Sequence, residues 1–108
     1  MTHTYNQKQR ILLSSITHPA IPLGARFVHY NDAEPFDEYV LCQPLCDHFC
    51  LIDIGDGGRW EDPVIGRCLA FSSKIPIEIV RKCANCDFDD MTFLLCIPDD
   101  LTLDQYLA

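Results

Sequence analysis

The first periodic pattern in the chain lies in residues 5–16, where apolar positions recur at the spacing of one helical face. The apolar members of this face are Tyr5, Ile11, Leu12, Leu13 and Ile16. Pro19 disfavours helical backbone at the residue before it, so the helix should end near His18. The pattern therefore predicts an N-terminal helix over Tyr5–Ile16, followed by an extended connector over residues 19–24.

Beyond residue 24 the pattern changes to short apolar runs and alternations, which are typical of β-strands. The predicted strands are Ala25–Tyr30, Phe36–Cys42, Phe49–Ile54, Val64–Phe71 and Met91–Ile97. A turn-rich segment separates the first two, which predicts that they pair as a hairpin. The third run is apolar on both faces as far as Asp53, so we expect it to be a central strand.

Three further segments complete the predicted elements. Gly55–Gly58 predicts a tight turn between the third and fourth strands, because glycine tolerates positive backbone angles. Residues 75–83 fit either an edge strand or a short helix, and we favour the helix. Residues 99–107 predict a short C-terminal helix, since Thr102 and Gln105 have the spacing of a capping box.

Together these elements predict one α+β domain spanning residues 1–108. Its core would be an antiparallel sheet of about five strands, with the N-terminal helix packed on one face and the short C-terminal helix closing an edge. A small, strongly bent β-barrel is the alternative. A chain of 108 residues with 48% apolar composition is of the usual size for one domain and can bury a core.

Composition also bears on location. No apolar run approaches the roughly 18 to 20 residues of a membrane helix, and the polar start Met1–Arg10 does not resemble a secretion signal. We therefore expect a cytoplasmic protein with no membrane partner. In such a reducing compartment most of the seven cysteines would be buried thiols, and four of them lie within apolar strand-like runs: Cys42, Cys50, Cys68 and Cys96.

Charge is strongly unbalanced, with a formal net charge of -8, and it is segregated along the chain. Residues 1–30 hold three bases and no acid, whereas residues 31–63 hold nine acids against the single base Arg59. The last segment, 83–108, holds six acids and no base. This excess of negative charge disfavours direct binding to nucleic acid and favours a basic protein surface as partner. Acidity can also serve solubility alone.

The cysteines suggest two alternative kinds of site, a zinc site and a redox-active dithiol. Cys83 and Cys86 have the two-residue spacing that lets two thiolates bind one zinc ion. The second pair would have to come from a looser set: Cys42, Cys46, His48 and Cys50. The same dithiol could be redox-active, but the acidic run that follows it disfavours a thiolate. We therefore predict no metal, no cofactor and no catalytic residue, and retain a zinc-stabilised adaptor and a small thiol enzyme as alternatives.

The predicted partner-binding residues lie in two acidic segments. Trp60, the single tryptophan, follows the glycine-rich turn and is flanked by acids, so it could anchor a partner or fold back over the sheet. The full predicted set is Trp60, Glu61, Asp62, Asp87, Asp89 and Asp90. We predict a small non-enzymatic acidic protein that binds a basic protein surface. Its sharpest form, an analogy from charge and size, is a phage-type inhibitor (anti-CRISPR or anti-restriction-like) that occupies the nucleic-acid-binding channel of a host defence nuclease.

Overall fold

A computed structural model describes residues 9–30, 37–42, 50–53, 73–85 and 89–108. Its elements are β1 (Gln9–Leu12), a 3-10 turn (Leu13–Ser15), β2 (Ala20–Pro22), β3 (Arg26–His29), β4 (Asp37–Cys42), β5 (Cys50–Asp53), β6 (Lys74–Pro76), α1 (Ile77–Asn85), β7 (Phe93–Ile97) and α2 (Leu103–Leu107). The predicted turn at Gly55–Gly58 and the predicted strand Val64–Phe71 lie outside the described residues.

The strands form two antiparallel sheets, which confirms the α+β prediction. The larger sheet has five strands in the order β1-β7-β3-β4-β5, and the smaller one pairs β2 with β6. Strands β1 and β5 form opposite edges of the larger sheet in the part of the chain that the structure describes. The sheet is therefore open there, and the alternative of a closed barrel is wrong.

One face of the larger sheet carries the main core. Phe27 lies opposite Tyr39 on β4 and opposite Leu95 on β7, and all three side chains are buried. Val80 of α1 and Leu107 of α2 belong to the same buried cluster, so both helices contribute to this core. Because strand residues alternate between faces, the neighbouring positions lie on the second face. Four of these are also buried: Val28, Val40, Cys42 and Cys96.

Burial of these two cysteines agrees with their expected role as small apolar residues. Cys68 and the side chain of Cys50 lie outside what the structure describes. Strands β3, β4 and β7 match the predicted runs, and β3 pairs with β4 as the predicted hairpin.

The predicted N-terminal helix is wrong where the structure describes it. Residues 9–12 form β1, which pairs with β7 and places Ile11 opposite Leu95, and a 3-10 turn follows at Leu13–Ser15. Leu13 and Ile16 are buried as an apolar helical face would require, but in a different backbone conformation. The helical period was therefore misleading because pairing with β7 supplies the backbone hydrogen bonds of this segment.

The prediction that Phe49–Ile54 is a central strand stays a prediction, because the predicted strand Val64–Phe71, which would follow it, lies outside the described residues. This run forms β5, which pairs with β4 and is the outermost strand among those described. Leu51 is half-buried and packs against the main core, so part of the apolar character of the run is explained by that face alone.

Residues 75–83 combine both of the structures that their pattern fits. Ile75 lies in β6 opposite Ile21, and α1 begins two residues later at Ile77. The C-terminal helix is confirmed as α2, with the complete capping box that was predicted between Thr102 and Gln105. No helix in the described ranges has the length and apolar character needed to cross a membrane.

Candidate partner-binding end of the sheet

Two of the six predicted partner-binding residues are described by the structure. Asp89 and Asp90 lie in the turn that leads from α1 into β7, where Asp89 is exposed and Asp90 is half-buried. The other four, Trp60, Glu61, Asp62 and Asp87, lie outside the described residues. The structure therefore locates one of the two predicted acidic segments, at the end of the sheet where β7 begins.

Asp89 organises this turn as well as carrying charge. Its Oδ1 accepts a hydrogen bond from the backbone N–H of Met91 at 2.9 Å. Its carbonyl oxygen accepts from the N–H of Thr92 at 3.0 Å and from the hydroxyl of the same residue at 2.7 Å. An aspartate side chain that bonds the backbone two residues ahead is an Asx turn, which directs the chain into the strand.

The turn is also tied to α1 and β3. Asn85, the last residue of α1, accepts the N–H of Asp90 on its side-chain oxygen at 2.9 Å. Tyr30 donates its N–H to the carbonyl of Thr92 at 3.0 Å, one position beyond the paired strands β3 and β7. These bonds hold the backbone around the two acids in a defined position.

Three exposed large apolar side chains lie at the same end of the sheet. Among the described residues, Leu12 is 39% exposed, Tyr30 46% and Met91 58%. Leu12 ends β1, Tyr30 follows β3 and Met91 precedes β7, and these three strands are neighbours in the order β1-β7-β3. Because β1 and β3 both run antiparallel to β7, their ends meet where β7 begins. We call Leu12, Tyr30, Asp89, Asp90 and Met91 the entry patch.

A buried group of aromatic rings lies at the same end of the sheet as the entry patch. His29 and Phe93, opposite each other on β3 and β7, have ring centroids 5.0 Å apart. Tyr39 meets the same Phe93 edge-on, with centroids 5.3 Å apart. All three side chains are buried.

Basic side chains in the described residues are largely engaged within the chain. Arg26 pairs with Glu38 at 3.2 Å across β3 and β4. Lys74 donates to the carbonyl of Leu107 at 3.0 Å, and Arg81 donates to the carbonyl of Ile16. These contacts join elements of the fold, so these three cations are used to hold the structure together.

Four of the five acids of residues 89–104 form two groups. Asp89 and Asp90 precede β7, whereas Asp99 and Asp100 follow it. A strand of five residues spans about 17 Å at roughly 3.3 Å per residue. That separation exceeds the Debye length of about 8 Å at physiological salt, so exposed charges in the two groups act almost independently. Asp104 lies farther along, with its Oδ1 2.7 Å from Nε2 of His18.

The residues considered for metal or redox chemistry are only partly described. Cys83 is half-buried on α1, while its proposed partner Cys86 lies outside the described residues, as do Cys46 and His48. Within the part of the chain that the structure describes, no group of three or more potential metal ligands converges.

Sequence reasoning identified the acids of the entry patch and missed its apolar members. Tyr30 and Met91 fall at the ends of predicted strands, and Leu12 lies within the apolar run of residues 11–13, so the pattern predicts core positions for all three. A signal was present for two of them, because Met91 follows two aspartates and Tyr30 precedes the turn-forming Asn31 and Asp32.

Comparison with known proteins adds no relative to this description. We found no protein-family model, no curated protein and no solved structure that matches the chain.

Proposed function

We propose that this chain is a non-enzymatic binding protein whose entry patch docks on a basic protein surface. The observation that carries the proposal is that three exposed apolar side chains and two aspartates lie at one end of the sheet, on neighbouring strands. Tyrosine and methionine are enriched in protein interfaces, and apolar clusters rimmed by polar residues are typical of interaction sites.

The two kinds of residue would contribute differently. Burial of Met91 and Tyr30 would supply affinity, since burying a large apolar side chain contributes about 1.5–3 kcal/mol. Asp89 and Asp90 would accelerate encounter with a cationic partner and orient it. The partner site should therefore combine Lys or Arg with an apolar contact.

The finer form of the proposal is an inhibitor that occupies a nucleic-acid-binding channel of a nuclease. Such a channel is lined with Lys and Arg that neutralise phosphates, and aromatic side chains there stack on bases. An acidic patch with an exposed tyrosine and methionine matches both features. Purified defence nucleases tested for DNA cleavage would identify a target, and Met91→Ser should relieve the inhibition.

The general proposal can be tested with two synthetic peptides of equal charge, one alternating Lys with Leu and the other alternating Lys with Ser. We expect the Lys–Leu peptide to bind more tightly in fluorescence anisotropy. Met91→Ser should weaken that binding by about tenfold. Loss of the buried methionine side chain costs at least about 1.5 kcal/mol, and 1.4 kcal/mol corresponds to a factor of ten in Kd.

The charge contribution is tested by the double variant Asp89→Asn, Asp90→Asn. Asparagine removes the charge but keeps an acceptor oxygen for the N–H of Met91. Charge reversal of Asp87, Asp89 and Asp90 to lysine is less informative, because it would also remove that hydrogen bond. We expect slower association and a weaker dependence on salt.

The matched control is Asp99→Asn, Asp100→Asn, at the other end of β7. It removes the same charge and should leave association almost unchanged. Equal effects of the two double variants would mean that only the net charge attracts the peptide, and the proposed docking site would then be rejected.

A further inference from the structure

The β4–β5 hairpin brings two cysteines directly opposite each other. Cys42 ends β4, Cys50 begins β5, and the two are register partners. Seven residues of sequence, 43–49, connect them. This pairing is independent of the entry patch and of the Cys83–Cys86 spacing considered above.

Backbone hydrogen bonds define the type of this pair. Leu41 donates its N–H to Ala25 at 3.0 Å and accepts from Gly24 at 2.7 Å, so both of its backbone groups face the β3 side. In a strand the next residue directs its backbone groups the other way, so those of Cys42 face β5. Cys42 and Cys50 are therefore a hydrogen-bonded pair, for which the Cα atoms are typically about 5.5 Å apart.

That separation suits a disulfide, whose Cα atoms usually lie about 4.4–6.8 Å apart. The Cβ atoms of opposed residues typically lie about 4.5–5.5 Å apart, with hydrogen-bonded pairs at the longer end, whereas a disulfide draws them to about 3.5–4.5 Å. Bond formation would therefore pull the two strands together locally, and strained disulfides of this kind are more easily reduced than structural ones.

We propose that Cys42 and Cys50 form a reversible disulfide when the protein meets a disulfide oxidant such as oxidised glutathione. Each thiol loses its proton, one S–S bond forms between the two sulfurs, and the two electrons reduce one molecule of oxidised glutathione to two of glutathione. Cys42 is fully buried, so oxidation requires the end of β4 to open transiently and should be slow.

The test exposes the full chain to oxidised glutathione, quenches it with an alkylating agent and digests it without reduction. Cleavage before Asp47 separates Cys50 from both Cys42 and Cys46, so a bond to Cys50 appears as two linked peptides. Fragmentation of the linked species then identifies the partner. We expect a link from Cys42 to Cys50 that disappears on addition of reduced glutathione.

Two variants distinguish this bond from its competitors. Cys46→Ala should retain the link at the native rate, because Cys46 takes no part in it, and Cys50→Ala should abolish it. Cys96→Ala serves as the control for removing another buried thiol of the sheet. Linkage of Cys50 to any other cysteine, or full alkylation of both thiols after prolonged oxidation, would overturn the proposal.

Discussion

Asp89 carries both a charge and a structural hydrogen bond, and these two roles can be separated by substitution. Its Oδ1 accepts from the N–H of Met91, which orients the exposed methionine of the entry patch. Acidity alone would not distinguish Asp89 from the other acids of residues 83–108.

We expect Asp89→Asn to leave the free energy of unfolding within about 0.5 kcal/mol of the native value. Asp89→Ala should lower it by about 1 kcal/mol, because the N–H of Met91 loses its side-chain acceptor. Urea unfolding at neutral pH measures both. Equal losses in the two variants would show that the carboxylate charge, rather than the acceptor oxygen, stabilises this turn.

At the scale of the elements, α2 is too short to be stable alone and depends on its cap and its packing. The hydroxyl of Thr102 accepts from the N–H of Gln105 at 3.2 Å, and the side chain of Gln105 accepts from the N–H of Thr102 at 2.9 Å. Leu107 packs into the core, so α2 is held at both ends.

We predict that Thr102→Ala destabilises the protein by about 1 kcal/mol, the typical effect of removing an N-cap. Thr102→Ser is the matched control, since it keeps the hydroxyl and should unfold close to the native midpoint. Thermal unfolding followed by circular dichroism compares the three proteins. A loss in the serine variant as large as in the alanine variant would place the contribution in the methyl group of Thr102.

The β4–β5 hairpin belongs to the same scale, and its cysteine pair depends on register. A shift of one residue would move Cys42 away from Cys50 and turn the side chains of β5 to the opposite face. Leu51 of β5 packs against the main core, and such a shift would turn it to the other face. Hydrophobic patterning thus supports a thiol pairing that cysteine spacing does not indicate.

For the whole molecule, the net charge leads to a prediction about nucleic acid. We expect no binding of DNA or RNA at moderate salt, because neutralising phosphates requires clustered Lys and Arg. In the described residues, Arg26, Lys74 and Arg81 are already engaged in contacts between elements. An electrophoretic mobility shift at micromolar protein, weakened by added salt, would contradict the prediction.

Zinc content tests the adaptor alternative for the whole protein. We predict less than half an equivalent of zinc in protein purified without chelator, because Cys83 and Cys86 form the one pair with good ligand spacing. Elemental analysis measures the metal directly. Stoichiometric zinc whose removal by a chelator also unfolds the protein would instead favour the zinc-stabilised adaptor.

Local signals in the sequence were sufficient for several elements. Alternation and apolar runs predicted β3, β4 and β7, and the spacing of Thr102 and Gln105 predicted the start of α2. These signals work because a strand's side chains alternate between faces and a capping box forms between residues three apart. A different local signal, the run of acids without a base in residues 83–108, identified Asp89 and Asp90 as partner-binding candidates.

Long-range pairing decided what those signals could not. The segment 9–12 has an apolar spacing that fits a helix, yet it forms a strand because β7 lies beside it. Leu12, Tyr30 and Met91 are far apart in sequence, and only the strand order β1-β7-β3 brings them to one end of the sheet. Composition and local pattern thus determined the acidic character and most of the strands, whereas the entry patch exists because hydrogen bonding between distant strands sets which of their ends meet.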